Sequence, residues 1–328
     1  MTDASTHAAP SESGAEHSGP TGAAEANAPE TSAAEAGATE AGAAEIGASG
    51  SGGPVIAFLG SGSMNGAILR GVLASGVPAE RVRATTRSAD SAQALADDTG
   101  VQVFASESDS AANARAVEGA DLVLLGVKPY AILELCDEIA EALPHTAVVA
   151  SVAAGITLSA MADHLRDGQP VVRTMPNTPS SVGRGVISVT SGEHVSAEQL
   201  ETVREVLSQV GTVVTVEEAQ VRAVTGVSGS GPAYVFLLAE MMQKAGERLG
   251  LDADVARVLA KETVSGAGVL LSPEDADAES LRKAVTSPNG TTERAINTFL
   301  DGGIEQLVAD AVAASANRGD EMEQEFCG

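Results

Sequence analysis

The chain has 328 residues, 45 of them acidic and 19 basic, for a formal net charge of −26. So negative a protein is no partner for nucleic acid, whose phosphates demand Lys and Arg. No run of about eighteen apolar residues offers a bilayer span, and Cys136 and Cys327 make neither a disulfide framework nor a metal cluster, so the reading is a soluble, cytoplasmic protein with no membrane partner.

Residues 1–53 are Ala, Glu, Gly, Ser, Thr and Pro with eight acidic residues and no Lys or Arg. Such a segment cannot bury enough apolar surface to offset chain entropy, and it reads as a disordered acidic tail. It lacks the basic start and apolar run of a targeting peptide. With only four lysines in the whole chain, Lys128, Lys244, Lys261 and Lys283, the excess of carboxylates reads as adaptation to high salt, where screening relieves self-repulsion.

From Val55 the pattern alternates. VIAFLG (Val55–Gly60) is an apolar run suited to a buried parallel strand. Ile68, Val72 and Leu73 mark a helix, RVRAT (Arg81–Thr85) a second strand and Ala89–Asp97 a second helix. Strands are then expected at Asp121–Val127, Ala147–Val152, Pro170–Met175, Gly185–Thr190 and Thr212–Val216. This alternation predicts an α/β fold, a doubly wound parallel sheet of the Rossmann type over 54–216. Over 217–328 the chain reads as all-helical: Val235, Leu238, Met242, Ala245 and Leu249 form one apolar stripe, Val255, Leu259, Val264 and Val269 a second, and Gly303–Phe326 a third helix. Roughly 110 residues cannot bury these faces alone, so a partner chain is expected.

GSGSMN (Gly60, Ser61, Gly62, Ser63, Met64, Asn65) follows the first strand and opens a helix, the context of a dinucleotide loop. Gly60 permits the turn, and Gly62 lets the backbone approach a pyrophosphate at the helix N-terminus. Asn65 stands where a third glycine would let helix and strand pack closely, so a shift of that helix is expected. The second strand runs into TTRS (Thr85–Ser88) with no acid until Asp90. Arg87 with Thr86 and Ser88 suits a 2′-phosphate, which favours NADPH over NADH; the plainer reading is a surface arginine ending a strand. Glu217 and Glu218 open the helix before VTGVSGSGPAYVF (Val224–Phe236), either as dipole partners or in favour of a cationic substrate. The histidines, His7, His17, His145, His164 and His194, have no metal spacing. Cys136 reads as a small apolar residue.

GVKPY (Gly126–Tyr130), SVAAGITL (Ser151–Leu158), RTMPNTP (Arg173–Pro179), SGSGPAYVF (Ser228–Phe236) and VTSPNGTTERA (Val285–Ala295) occur in that order. Together they resemble the pyrroline-5-carboxylate reductase family. The resemblance implies a Rossmann domain followed by a helical domain that interlocks with a second subunit, as a homodimer at least, a larger ring of dimers being the further option. It implies reduction of L-1-pyrroline-5-carboxylate to L-proline with NAD(P)H. It puts cofactor contacts on Gly60–Asn65, on Asn113, which otherwise caps the helix after it, and on Val127, Lys128 and Pro129. Asn65 and Asn289 depart from the family pattern, Asn289 replacing a glycine in a residue type that tolerates left-handed backbone.

The substrate is a cyclic imine bearing a carboxylate. Free N–H groups of a Ser230–Tyr234 turn, with Pro232 at the first helical position, are expected to receive that anion or the nicotinamide carboxamide, with Ser228, Ser230 and Gly231 as substrate contacts. Thr291 and Thr292 would close over the same carboxylate from the neighbouring subunit. The β-hydroxyacid dehydrogenases carry a lysine and an asparagine where this chain has Val235 and Ala239. An alcohol needs that proton relay, whereas an imine arrives protonated, so no residue is assigned as acid or base. Holding the two reactants in line then supplies most of the catalysis, a device worth roughly 7–11 kcal/mol. A reductase of another cyclic imine carboxylate, a non-enzymatic NADPH sensor, and a tail that docks a basic partner are the alternatives.

Overall fold

The computed structural model describes residues 53–328; the expected acidic tail lies, but for its last residue, outside them. Among the described residues, eight strands form one sheet in the order β3-β2-β1-β4-β5-β6-β7-β8. They are β1 (Ile56–Leu59), β2 (Val82–Thr86), β3 (Gln102–Ala105), β4 (Leu122–Leu125), β5 (Val148–Ser151), β6 (Val171–Met175), β7 (Gly185–Ser191) and β8 (Gly211–Thr215). β1, β4 and β5 are buried throughout their length, as continuous apolar strands covered on both faces must be.

Helices cover both faces: α1 (Ser63–Ala74), α2 (Ala89–Thr99), α3 (Ala112–Val117), α4 (Ile132–Ile139), α5 (Leu158–Asp163) and α6 (Ala197–Ser208). Phe58, Ile68, Leu69, Val72 and Val206 belong to one core cluster, and Leu59, Val123, Leu125, Ile132 and Ile139 to the other. Successive β1 residues thus feed opposite faces, as the strand period of two requires. Local chemistry sets the helix ends. Ser88 caps α2 by accepting from Ser91 N–H, and Gly100 ends it with φ of 72°. Ser196 and Gln199 form a capping box on α6.

Two features differ from expectation. β3 is absent from the expected strands; its QVFA is a short edge strand with no fully buried residue. The sheet is not wholly parallel: β7 runs antiparallel to β6, and β8 parallel to β7. Only the nine residues 176–184 join β6 to β7, fewer than a parallel crossover needs.

After β8 the described chain is helical. α7 (Val221–Val224) leads through a π-helical turn, Thr225–Gly229, into α8 (Gly231–Arg248). Then follow α9 (Ala253–Leu270), α10 (Ala278–Ala284), α11 (Thr291–Asp301) and α12 (Ile304–Cys327). α8 has no buried residue; Phe236 is 66% and Leu249 88% exposed, and Leu259, Val269, Phe299 and Leu307 are exposed as well. These are the unburied apolar faces that the stripe pattern anticipates. No described helix is long and apolar enough to cross a membrane.

Candidate active site

β1, β2, β4, β5 and β6 are parallel, so the segments that follow each of them gather at one edge of the sheet, where α/β folds bind ligands. After β1, Gly60 turns with φ of 74°. Its N–H donates to Thr85 Oγ1 (3.0 Å), and Ser61 N–H donates to the Thr85 carbonyl (2.8 Å). A side chain at Gly60 would strike Val127, whereas one at Gly62 would meet nothing within 4 Å. Gly62 is the N-cap of α1 without a side-chain cap, so the first N–H groups of this 12-residue helix face open space. A pyrophosphate fits that opening.

Asn65 is built into the packing of α1 on the sheet. It is 1% exposed, and its Nδ2 donates to the carbonyls of Leu59 (3.2 Å) and Leu124 (2.9 Å). The carboxamide thereby staples the helix to β1 and β4. Its Oδ1 is buried with no partner among the described residues. The space it occupies exists because residue 126 is glycine: a Cβ there would stand 2.3 Å from Asn65 Cγ and Nδ2.

After β2, Arg87 is exposed. Among the described residues its side chain takes part in none of the ion pairs, although most other arginines are paired. Ser88 is less free than expected. It caps α2, and its hydroxyl donates to Ser91 Oγ (2.9 Å); Thr86 Oγ1 donates to the Ser88 carbonyl (3.2 Å). Asn113 lies inside the first turn of α3 and does not cap it; its Nδ2 donates to the carboxylate of Glu138 at 3.0 and 3.1 Å. After β4, Val127 is half-buried, Lys128 is exposed and has no ion-pair partner among the described residues, and Pro129 opens a short 3-10 turn.

The glycine stretch departs most from expectation. The N–H of Ser230 is not free at the start of α8, because it donates to the Thr225 carbonyl five residues back (3.0 Å), closing a π turn between α7 and α8. A Cβ at Gly226 would stand 2.6 Å from the Val312 carbonyl of α12, and one at Gly229 2.8 Å from Met175 Cε. Two of the three glycines therefore serve close packing, and Gly231 alone opens onto free space. Ser230 Oγ pairs with Ser315 Oγ (2.7 Å), and Ser228 Oγ donates to the Val224 carbonyl (3.2 Å). A cavity of about 310 Å³ lies beside Ser230, walled by Ala154, Gly155, Met175, Ser315 and Met322.

Glu217 and Glu218 are engaged elsewhere. Glu217 caps its own turn with Gln220. Glu218 accepts from Leu158 N–H (2.8 Å) and pairs with Arg173 (3.3 Å). Arg173 is 5% exposed and also pairs with Glu323 of α12. Its role was not legible in the sequence, since both carboxylates are remote from it along the chain. Thr291 and Thr292 occupy the first turn of α11. The preceding Asn289, at φ of 59°, is the one non-glycine with positive φ among the described residues, as its residue type anticipates. No hydrogen bond joins Thr291 or Thr292 to the 228–231 stretch of the same chain.

A family model for pyrroline-5-carboxylate reductase dimerisation matches residues 218–322, and one for coenzyme F420-dependent NADP oxidoreductase matches 55–155. The pyrroline-5-carboxylate reductase of Pseudomonas aeruginosa is 41% identical over 265 residues, 80% of this chain and 95% of that protein. That of Corynebacterium melassecola is 40% identical over 259 residues, 78% and 94%. The solved pyrroline-5-carboxylate reductase of Coxiella burnetii matches with a TM-score of 0.77 at 36% identity, covering 82% of this chain and 98% of that one. Plasmodium falciparum pyrroline carboxylate reductase, solved with NADP bound, shares the fold at 22% identity and a TM-score of 0.71, covering 84% and 100%. With such relatives aligned over nearly their whole length, and with a helical half that matches a dimerisation family, the chain belongs to the pyrroline-5-carboxylate reductases, homo-oligomeric nicotinamide-dependent enzymes that reduce L-1-pyrroline-5-carboxylate to L-proline.

Proposed function

We propose that this enzyme prefers NADPH, held by residues 60–65, Arg87, Ser88, Asn113 and 127–129, and that Ser228, Ser230 and Gly231 bind the substrate with Thr291 and Thr292 of a second subunit. When bound, the nicotinamide supplies the hydride. The open first turn of α1 accepts the pyrophosphate, and Lys128 lies along it as a neutralising charge. Gly231 leaves backbone exposed where a carboxylate would approach, and Ser230 adds a hydroxyl beside the 310 Å³ cavity. A substrate that arrives as an iminium needs no proton from a side chain, so no residue is assigned that task.

The observation that carries the cofactor preference is Arg87. In a chain of net charge −26, an exposed guanidinium without a carboxylate partner among the described residues, at the end of a strand that lacks the acid of NAD enzymes, supports a 2′-phosphate ligand. NADP in the Plasmodium relative accords with this. Arg87→Ala should lower kcat/KM for NADPH by about tenfold or more, on the scale of a charge-assisted hydrogen bond, and leave NADH little changed. An unaltered NADPH-to-NADH ratio would overturn the assignment.

The same proposal extends to organisation. A division at 216/217 is supported by the dimerisation match beginning at 218. Apolar side chains exposed on α8, α9, α11 and α12 support assembly of dimers into a ring, which light scattering would measure. The two free cysteines suit the reducing cytoplasm.

A further inference from the structure

We infer that Asn177 is a positioning residue for the reaction, one that holds the π turn in the form that presents Ser228, Ser230 and Gly231 to the substrate. The inference rests on the proposed substrate role of that stretch. Asn177 follows β6 with extended backbone and is 8% exposed. Its Oδ1 accepts from Val186 N–H (2.9 Å) and its Nδ2 donates to the Ser228 carbonyl (3.0 Å). Because one neighbour is a donor and the other an acceptor, the orientation of the carboxamide is fixed. The residue thus ties the start of β7 to the middle of the glycine stretch.

π turns are rare, and each holds one residue more than an α turn would, with carbonyls swung away from their usual partners. Here those carbonyls are taken up from outside the turn. Asn177 takes that of Ser228, and Tyr234 Oη donates to that of Gly226 (3.0 Å). Met175, two residues before Asn177, fills the space against Gly229. Without these supports the segment is free to relax toward i→i−4 bonding. A one-residue change of register turns a helical position by about 100°, which would carry Ser228 away from the side on which Ser230 lies.

Asn177→Asp keeps the acceptor for Val186 and removes the donor to Ser228. It should raise KM for pyrroline-5-carboxylate about five- to tenfold, the scale of one lost hydrogen bond, while the NADPH dissociation constant, read by fluorescence, stays within about twofold. Tyr234→Phe removes the other support and should show the same split; it decides the matter should Asn177→Asp not fold. Ser230→Ala separates the two readings. If Ser230→Ala raises substrate KM and neither support variant does, the positioning role of Asn177 is wrong and the site stands. If Ser230→Ala leaves substrate KM unchanged, the site assignment itself falls and the positioning role with it. A lower melting temperature with substrate and NADPH constants both at wild-type values would reduce Asn177 to packing and overturn the inference.

Discussion

Gly126→Ala tests whether the Asn65 staple exists as described. The added methyl would stand 2.3 Å from Asn65 Cγ and Nδ2 and 2.9 Å from its Cβ, where carbon atoms need about 3.5–4.0 Å. The backbone cannot easily retreat, because Gly126 N–H is bonded to the Leu59 carbonyl at 2.8 Å. The carboxamide must therefore leave, breaking its bonds to Leu59 and Leu124. Two buried hydrogen bonds at about 1 kcal/mol each, with overpacking of about 1–3 kcal/mol, sum to roughly 3–5 kcal/mol. For a chain of this size that is a fall in melting temperature of about 10 °C. Asn65→Gly alone should cost about 2–3 kcal/mol, from the lost bonds and from glycine in a helix. The double variant should melt close to Asn65→Gly, because the clash is gone. Thermal and urea unfolding provide the measurement. A wild-type melting temperature for Gly126→Ala, or a double variant no more stable than Gly126→Ala, would refute the reasoning.

Other outcomes follow from the same geometry. If sites span two subunits, co-expressing Ser230→Ala and Thr292→Val chains, assayed at substrate well below the raised KM of either, should restore about a quarter of wild-type activity, since half of the dimers are mixed and each has one intact site; no recovery would place both elements in one chain. Burial pushes the Cys136 thiol from the ordinary 9.0 up to about 12. Its contribution to stability is therefore present below about pH 9 and lost as pH rises toward 12, and native protein should resist iodoacetamide at Cys136 until unfolded, as mass spectrometry would register. With net charge −26, the melting temperature should climb with sodium chloride as repulsion is screened; a flat response would remove the high-salt reading.

What could be read in advance was what depends on neighbours in sequence. The loop after β1 was legible because Gly60 needs positive φ and Gly62 open space, and Asn289 because few other residues accept a φ of 59°. The second task of Ser88 is a local one, since a serine before a helix also serves as its cap. Asn65 was read as bulk in the way, because the glycine that makes room for it lies sixty-one positions on. The π turn was hidden for a like reason. Its supports, Met175 and Asn177, come from another strand end, and α12 supplies the wall behind Gly226. The reversed β7 was within reach, had the short link after β6 been weighed against the length of a crossover.

α12 joins two parts of the molecule. Near its start, Leu307 and Val308 are exposed on the apolar side, and at its far end Met322 and Phe326 crowd Gly155 while Cys327 Sγ donates to the Gly155 carbonyl at 3.5 Å. Were a second copy to cover Leu307 and Val308, its hold on one end of the helix would reach the loop after β5 through the other, and diluting the protein until the copies part should slacken that loop and cost turnover well before the sheet begins to melt.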